Sequence, residues 1–469
     1  MKKYILLTIM LVLSVVVNAE SISKEKAEQL ARGFLTERGM YGVGALQRAV
    51  PQQARARAQL KGSLQDACYY VFNIGQNQGF VIVSGDDRAP AVLGYSDKGA
   101  FDMDHLPSNV AAWLEGYADQ IRYLRQHAPA AEQTAPAAAR SAAPKMTMAR
   151  DPWAVSKGAK TTIPTMITTK WDQWSPFNDL CPTIGTEKCV PGCIATALAQ
   201  IMYYHKWPQS ATAAIPKYTA TDSGKSYPGL PATTFNWAAM NDNPGVGTPA
   251  GAAVALLIQY CAYGCKADFG LGDTPIYNNE PENALKNYFH YGAGVKYVER
   301  QTYSNEDWEN LIYTELEAKR PVLYSGQSNK GGGHAFVVHG YDNGFYAVNW
   351  GWGQSVDQDG YYLLDAMDPA DLGIGGGSGG YNSGQTAIIG ISKDDVETYQ
   401  VVDDKVVLTT NSITLINDEY VLKGGYYDVS FDCEFVNFLS NTYQFDINFK
   451  VYRDGVYQDF LLRRLIGQR

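Results

Sequence analysis

The chain has 469 residues, which is enough for two or three domains that each bury a core of their own. Its net charge is -9 and its basic residues form no stripe, so we expect neither nucleic acid nor an anionic lipid surface as a partner. The seven cysteines are an odd number, so at least one thiol must remain unpaired within the chain.

The N-terminus is typical of a cleavable export signal. A short basic head, MKKY, precedes the apolar run ILLTIMLVLSVVV, and the small residue Ala19 follows soon after. The run has about 13 residues, which is too few to span a bilayer comfortably, and no other segment is apolar enough to do so. We therefore expect a signal peptide over residues 1–19, cleaved near Ala19, and a secreted protein without a stable membrane anchor.

Residues 20–127 predict a small α+β unit. Apolar residues recur at helical spacing after Ser23, and a second amphipathic helix is predicted from Ser108 to Leu124. Between them lie the β-rich runs YYVFNI, GFVIVSGDDR and AVLGYS. The pattern predicts that this unit is complete in itself.

Residues 128–150 are rich in Ala, Pro, Ser and Thr and contain almost no large apolar side chain. Such a composition does not offset the entropy lost on ordering, so the segment is predicted to be an exposed linker that proteases can reach. Arg140, Lys145 and Arg150 mark candidate cleavage points. A plain interdomain linker is the alternative.

Residues 151–391 predict a domain that mixes helices and strands. A strong helix begins at Cys193, and further helices are predicted near residues 250–263 and 305–318. A run of strands follows Pro321, so the domain is expected to have an α+β fold.

Residues 392–469 predict a short β-rich module. Apolar and polar residues alternate in several runs, and Asp454-Gly455 is a hairpin turn signal. Four or five strands are visible where an immunoglobulin-like sandwich has roughly seven. The module is therefore expected to be an incomplete or unusual sandwich.

Cys193 has the sequence position of a nucleophile. Pro191 and Gly192 punctuate the chain where the helical periodicity of CIATALAQIMYYH begins, which places Cys193 at or next to a helix N-terminus. Free backbone N–H groups and the helix dipole stabilise an anion there, so the thiol is expected to have a lowered pKa. A buried structural cysteine is the commoner role for an arbitrary cysteine, and position alone does not decide between them.

A thiol nucleophile needs a general base, and the chain offers six histidines. His205 lies about 18 Å along the helix axis from Cys193, beyond hydrogen-bond reach. His105 and His127 lie in the N-terminal unit, which cleavage of the linker at 128–150 would separate from Cys193, and His290 follows an amphipathic segment.

The remaining two histidines stand in GGGHAFVVHGYDNGFYAVNWGWG, which predicts two strands joined at residues 342–344. Residues five apart on a strand face opposite sides, so His334 and His339 are not both expected in one site. We favour His334 as the base because the three preceding glycines let a substrate backbone approach. His339 is then expected to pack or to form hydrogen bonds.

Other side chains could complete the site. On the second predicted strand, Asn349 could accept from the imidazole, and Trp350 or Trp352 could shield it and fix its plane, although tryptophans are more often core residues. Upstream, Gln173 and the backbone N–H of Cys193 could form an oxyanion hole.

Two alternatives to a thiol-dependent enzyme remain: a zinc site and a binding module. The paired spacings of Cys189 with Cys193 and of Cys261 with Cys265 could hold zinc, but structural zinc sites more often use two-residue spacers, so we expect no metal. Disulfides could form among Cys181, Cys189, Cys261 and Cys265, and the sequence does not assign their pairing. A binding module that kept the fold of an enzyme is the second rival, and the complete set of nucleophile, base and oxyanion donor argues against it.

Together the motifs resemble the streptopain family of papain-like cysteine peptidases. GCIATALAQIMYYHKWP is similar to the family's nucleophile helix, GGHAFVVHGYD to its histidine strand, NWGWG to its tryptophan turn and WDQWSPFN to its oxyanion glutamine segment. YYVFNI and GFVIVSGDDRAPAVLGYS resemble its prodomain, and LDAMDPADLGIGGGSGGYNSGQTAIIGI resembles its glycine-rich active-site loop and last strand. The resemblance runs from about Ser21 to Ile391 and leaves the tail uncovered.

The resemblance implies a secreted cysteine endopeptidase made as a zymogen, with a papain-like domain over residues 151–391. Residues 20–150 would be an inhibitory propeptide that folds back on the active site, displaces the histidine and is removed by self-cleavage. The family's functional positions correspond to Cys193 as nucleophile, His334 as base and acid, Gln173 as oxyanion donor, Trp350 as orienting residue, Trp352 beside it and Gly333 against the substrate backbone.

The partners implied are protein and peptide substrates and the chain's own propeptide, and no cofactor is expected. The family prefers a bulky apolar residue two places before the scissile bond. The family also carries a serine-rich loop that touches substrate, whereas this chain has Leu271-Gly272-Asp273-Thr274 at that point. Fine specificity is therefore expected to differ.

Overall fold

The computed structural model describes residues 21–39, 45–51, 67–127, 160–300, 303, 305–327, 333–353, 358–364 and 383–396, and four short strands between residues 414 and 458. The chain divides into two compact units, residues 1–398 and 399–469. The proposed signal peptide, the linker at 128–150 and most of the tail lie outside the described residues.

Six α-helices lie within the described residues. They are α1 (Lys24–Glu37), α2 (Ser108–His127), α3 (Cys193–His205), α4 (Pro249–Gly264), α5 (Glu280–Asn287) and α6 (Asn305–Glu317). The helices predicted near Ser23, Ser108, Cys193 and residues 250 and 305 are confirmed, and the second extends three residues beyond its predicted end.

Fourteen strands belong to the first unit. They are β1 (Leu46–Ala49), β2 (Tyr69–Ile74), β3 (Phe80–Ser84), β4 (Val92–Ser96), β5 (Thr183–Ile184), β6 (Glu187–Lys188), β7 (Tyr218–Thr219), β8 (Ser226–Tyr227), β9 (Lys296–Glu299), β10 (Val322–Gln327), β11 (Gly333–Asp342), β12 (Phe345–Asn349), β13 (Gly360–Tyr362) and β14 (Ser383–Ile389).

The N-terminal part packs a helix on an antiparallel sheet. Helix α1 begins after Ser23, whose extended backbone and hydroxyl cap the helix by accepting the N–H of Lys26 at 3.3 Å. Its buried residues Ala27, Ala31 and Leu35 recur every four positions, so they form one stripe. That stripe packs against side chains of β2 and β3.

One ten-stranded sheet joins the N-terminal part to the rest of the first unit. Its order is β1-β2-β3-β4-β13-β12-β11-β10-β14-β9, and every neighbouring pair is antiparallel. The junction is β4 with β13, where Tyr95 lies opposite Tyr361 and Gly94 opposite Tyr362. The sheet of the N-terminal unit is therefore continued by a strand from the C-terminal half, a pairing that the sequence did not predict.

Helices α3 and α4 form the other half of the fold. Both are rich in buried apolar residues, including Leu198, Met202 and Leu257, and they share one core cluster with Ala335 and Val337 of β11. Helix α3 therefore lies directly on the strand that carries His334. A helical half packed on an antiparallel half confirms the predicted α+β fold.

The β11–β12 hairpin turns where the sequence predicts it. Asn343 and Gly344 have φ values of 49° and 92°, which suits the two-residue turn that matches strand twist. Asp342 pairs with Phe345 across this turn.

The second unit has two described strand pairs, β15 (Thr414–Leu415) with β16 (Phe431–Asp432) and β17 (Val451–Arg453) with β18 (Val456–Gln458). Strands β17 and β18 flank Asp454-Gly455, as expected for the predicted hairpin. The sandwich interpretation concerns residues outside the described part. Within the described residues, no helix combines the length and apolar character needed to cross a membrane.

Candidate active site

Cys193 is the first residue of α3, as its flanking sequence predicts. Gly192 has a φ of 91°, and a β-carbon on it would lie 2.8 Å from the carbonyl oxygen of Thr274. Only glycine fits this approach without strain, so the tight turn into the helix explains the Pro-Gly pair before the thiol. The Sγ atom of Cys193 accepts the backbone N–H of Ala335 at 3.3 Å.

The predicted lowering of the thiol pKa is wrong for this precursor. Burial raises the pKa of Cys193, and the carboxylate of Asp273 raises it further. The N–H groups of Ala335, Ile194 and Cys193 itself act in the opposite direction, as the helix N-terminus leads one to expect. Desolvation outweighs these hydrogen bonds, so the thiol is held in its neutral form.

His334 lies at the start of β11, next to the residue that donates to the thiol. Gly333, before it, is exposed, and His334 pairs with Gly326 of β10. The imidazole centroid lies 6.2 Å from the ring of Trp352. Burial lowers the pKa of His334, whereas the Asp273 carboxylate raises it, so the imidazole also tends to be neutral.

His339 has a different role, as predicted, but for a different reason. A bulge between Val338 and Gly340 interrupts the strand alternation on which the prediction rested. The imidazole is nonetheless fixed elsewhere, because its Nδ1 accepts the N–H groups of Met166 and Ile167 at 3.2 and 3.1 Å. Burial lowers the pKa of His339 to about 3, so the ring is neutral. Its hydrogen bonds fix the backbone at Met166 and Ile167.

The turn after β12 brings two of the expected supporting residues near the histidine strand. Trp350 is buried, its ring lies 4.7 Å from that of Phe336, and its Nε1–H donates to the carbonyl of Gln358 at 3.1 Å. Asn349, considered as an orienting residue, makes hydrogen bonds to the backbone around it in this structure. Its amide nitrogen donates to Thr169 O at 2.9 Å and its oxygen accepts the N–H of Gly351 at 3.1 Å, so it fixes the turn.

Gln173 lies on a segment that packs against this turn. The residue is buried, and the ring of its neighbour Trp174 lies tilted against that of Trp352, with centroids 5.6 Å apart. The N–H of Gly353 donates to Trp171 O at 3.2 Å. These contacts hold the segment that carries Gln173 next to Trp352, whose ring lies near that of His334.

Two of the cysteines considered as zinc ligands, Cys261 and Cys265, lie inside the helical core. The Sγ atom of Cys261 lies 3.6 Å from the sulfur of Met202 inside the α3–α4 core, and Cys265 is likewise fully buried. Among the residues that the structure describes, six cysteines are free: Cys68, Cys181, Cys189, Cys193, Cys261 and Cys265. In the described part of the chain, no three His, Cys, Asp or Glu side chains are grouped as metal ligands.

The N-terminal part packs against the strand that carries His334, as the family resemblance implies, although sequence patterns do not identify the contact itself. The ring of Trp113, on α2, lies 5.6 Å from that of Phe336 and 5.8 Å from that of Trp350. Phe336 is two residues after His334. The apolar periodicity of α2 signals a buried face but not its partner.

A charged contact secures the same interface. Arg38, at the end of α1, forms a salt bridge with Asp342 at the β11–β12 turn, and Tyr95 donates to that carboxylate at 2.6 Å. The guanidinium also lies over the rings of Tyr95 and Phe345. The hairpin that carries His334 is therefore held at both ends by the N-terminal part.

A helix-borne thiol against a histidine strand, covered by an N-terminal α+β part, is the architecture of a papain-like cysteine peptidase with its prodomain. Residues 171–362 match the Peptidase C10 family, and residues 19–121 match the Spi protease inhibitor family. The chain is 33% identical to streptopain of Streptococcus pyogenes over 398 residues, which cover 79% of this chain and 91% of streptopain. It therefore belongs to the peptidase C10, or streptopain, family of cysteine-type peptidases and carries an inhibitor-type prodomain.

Two further relatives agree with this assignment. The chain is 32% identical to the thiol protease/hemagglutinin PrtT of Porphyromonas gingivalis over 411 residues, 83% of this chain, but spans only 44% of PrtT. The structure of a prointerpain A fragment of Prevotella intermedia is similar, with a TM-score of 0.56 and 26% identity. That similarity covers 74% of this chain and 99% of the fragment.

Proposed function

We propose that this chain is the secreted zymogen of a cysteine endopeptidase in which Cys193 is the nucleophile and His334 the general base and acid. The observation that carries the proposal is the 3.3 Å hydrogen bond from the N–H of Ala335 to the Sγ atom of Cys193. It joins the first turn of α3 to the residue directly after His334. Two other histidines bond elsewhere: His339 accepts the N–H groups of Met166 and Ile167, and the Nε2 atom of His290 bonds to Ala211 O at 2.9 Å.

The proposed reaction uses only groups of the chain. A thiolate on Cys193, paired with the imidazolium of His334, attacks the peptide carbonyl and forms a tetrahedral oxyanion. The amide of Gln173 and the N–H of Cys193 stabilise that oxyanion. His334 then protonates the leaving amine, and water hydrolyses the thioester. Trp350 and Trp352 keep water from the imidazole and fix its plane, and no cofactor takes part.

Latency follows from the electrostatics of the precursor. Burial raises the pKa of Cys193 and lowers that of His334, so both groups are driven toward their neutral forms and the reactive ion pair is disfavoured. On the N-terminal part, Trp113 packs beside Phe336 and Trp350, two and sixteen residues after His334. Removal of the prodomain would open the site and favour the ion pair.

The remaining parts of the proposal concern boundaries and specificity. A signal peptide over residues 1–19 would direct secretion, and a propeptide over 20–150 would be cut within the linker at 128–150. The peptidase domain would span residues 151–391 and the β-rich module 392–469. Gly333, which is exposed, would contact the substrate backbone, and an apolar residue two places before the scissile bond would be preferred.

Self-trimming of the purified precursor tests the proposal. With a thiol reductant, the precursor should lose its N-terminal part, and N-terminal sequencing should place the new end within residues 128–150 or just after. An epoxide thiol reagent should block the reaction, whereas a chelator should not. A precursor that stays intact and hydrolyses no peptide after limited proteolysis of its linker would contradict the proposal.

Replacement of Gln173 tests the oxyanion role. The Gln173→Ala variant should lower kcat by about 10²- to 10³-fold, because one preorganised donor to the oxyanion is lost. KM should change little, since the contact strengthens only in the transition state. Gln259→Ala removes an exposed amide that bonds to Leu180 O, and it should leave both constants near those of the wild type. Equal effects of the two substitutions would rule out an oxyanion role for Gln173.

Replacement of Trp113 tests the inhibitory contact. Trp113→Ala removes a buried ring from the interface, a change of about 3 to 5 kcal/mol for a well-packed tryptophan. We expect the variant precursor to trim itself severalfold faster than the wild type, followed by gel electrophoresis over time. Trp113→Phe keeps an aromatic ring against Phe336 and should give an intermediate rate. Unchanged trimming in both variants would show that this contact does not restrain the site.

A further inference from the structure

We propose that Asp273 makes the mature peptidase prefer substrates with a basic side chain close to the scissile bond. The inference rests on the proposed function, since it names a substrate class for the same site. The inference starts from the loop of residues 270–274, which packs against Val190 and Gly192 just before Cys193.

Backbone contacts fix this loop beside the thiol. The N–H of Val190 donates to Gly270 O at 3.0 Å, and the hydroxyl of Thr274 donates to Val190 O at 2.6 Å. The carbonyl of Thr274 lies so close to Gly192 that a β-carbon there would be 2.8 Å away. Thr274 therefore contacts Gly192, the residue directly before Cys193. Asp273 is the neighbour of Thr274 in the chain.

The Asp273 side chain is available for a ligand. It is exposed, its carboxylate accepts the N–H of Thr274 at 2.9 Å, and within the described residues it forms no salt bridge. A carboxylate in this position sets a negative potential over the place where a peptide must lie to reach the thiol.

The charge of the Asp273 carboxylate acts on both reacting groups, Cys193 and His334. Asp273 raises the pKa of the Cys193 thiol and also the pKa of the His334 imidazole. A substrate carbonyl must lie between these two groups and the oxyanion donors, so side chains near the scissile bond come within range of the same charge. A lysine or arginine there is attracted, and a glutamate or aspartate is repelled.

The chain's own linker has the matching charge. Residues 128–150 contain three basic residues, Arg140, Lys145 and Arg150, and one acidic residue, Glu132. If the linker is the first substrate of the enzyme, its positive charge complements the carboxylate on the loop. Complementary charge mainly sets partner choice, which is the property that the experiment measures.

A peptide series measures the preference directly. The peptides keep an apolar residue two places before the scissile bond and carry Lys, Gln or Glu in turn at each of the flanking positions. For the mature wild-type enzyme, kcat/KM should follow the order Lys, Gln, Glu at one or more positions. A solvent-exposed charge pair corresponds to up to about fivefold for each step in that order. The Lys-to-Glu ratio should shrink when salt is raised from about 50 mM to about 500 mM.

Asp273→Asn is the matched variant, because the amide oxygen can still accept the N–H of Thr274. Its Lys-to-Glu ratio should fall toward one. The control Glu317→Gln removes the same charge from the exposed end of α6, and it should keep the wild-type ratio. Should the Asn variant be inactive, Asp273→Ser takes its place, because the serine hydroxyl can also accept the N–H of Thr274 and carries no charge; its Lys-to-Glu ratio should likewise fall toward one.

The outcomes separate this inference from the proposed function. Hydrolysis of all peptides without a charge preference, or an unchanged ratio in Asp273→Asn, overturns the role of Asp273 and leaves the peptidase assignment intact. Failure of the mature wild type to hydrolyse any peptide of the series overturns both.

Discussion

A Cys193→Ala precursor should neither trim itself nor hydrolyse peptides, with a loss in kcat of about 10⁴-fold or more. The reason is chemical: the proposed reaction passes through a thioester, and alanine offers no atom to form it. The substitution removes one sulfur that accepts a hydrogen bond from Ala335, so the fold should be little affected. Trimming is followed by electrophoresis and hydrolysis with a fluorogenic peptide.

Two controls make the Cys193 result specific. Cys181→Ala removes another buried free thiol and should retain activity and self-trimming. Mature wild-type enzyme added to the Cys193→Ala precursor should trim it, which shows that the variant is still a substrate. Normal self-trimming of the Cys193→Ala precursor would refute the assignment of the nucleophile.

The two histidines of β11 should respond in opposite ways to replacement. His334→Ala should lower kcat by about 10³-fold or more, because base and acid catalysis are both lost, and should leave the free energy of unfolding nearly unchanged. His339→Ala should instead reduce the free energy of unfolding by about 2 to 4 kcal/mol. It opens a cavity and removes the acceptor of the Ile167 N–H, while activity per folded molecule is retained.

Chemical denaturation and active-site titration measure the two effects separately. Denaturation gives the free energy of unfolding for each precursor, and titration counts the molecules with a competent thiol. A His334→Ala enzyme that retains full kcat would show that another group is the base. Loss of activity per folded molecule in His339→Ala, with His334→Ala active, would indicate that His339 is the base.

Features set by local sequence could be predicted. The start of α3 follows from Pro191, Gly192 and the periodicity after Cys193, and the β11–β12 turn follows from Asn343 and Gly344, because only a few residue types adopt their backbone angles. The order of the motifs along the chain likewise predicts the family, which the comparisons confirm.

Features set by contacts distant in sequence could not be predicted. The pairing of β4 with β13 joins residues more than 260 positions apart, and neither strand's pattern names its partner. Nor did the helix N-terminus reveal the pKa of Cys193, because desolvation by the folded surroundings outweighs the local N–H groups. Asn349 likewise has an amide suited to an imidazole, yet the backbone of Thr169 and Gly351 occupies it.

The reactivity of one thiol as a function of pH tests the zymogen account most directly. Iodoacetamide alkylation of Cys193 is followed by peptide mass spectrometry from about pH 4 to about pH 10, in precursor and mature enzyme, with Cys193→Ala as background. In the precursor, alkylation should become fast only above the ordinary pKa of a thiol, since burial raises that pKa. In the mature enzyme it should already be fast near pH 5, as expected for a thiolate paired with imidazolium. Identical profiles in the two forms would contradict the account.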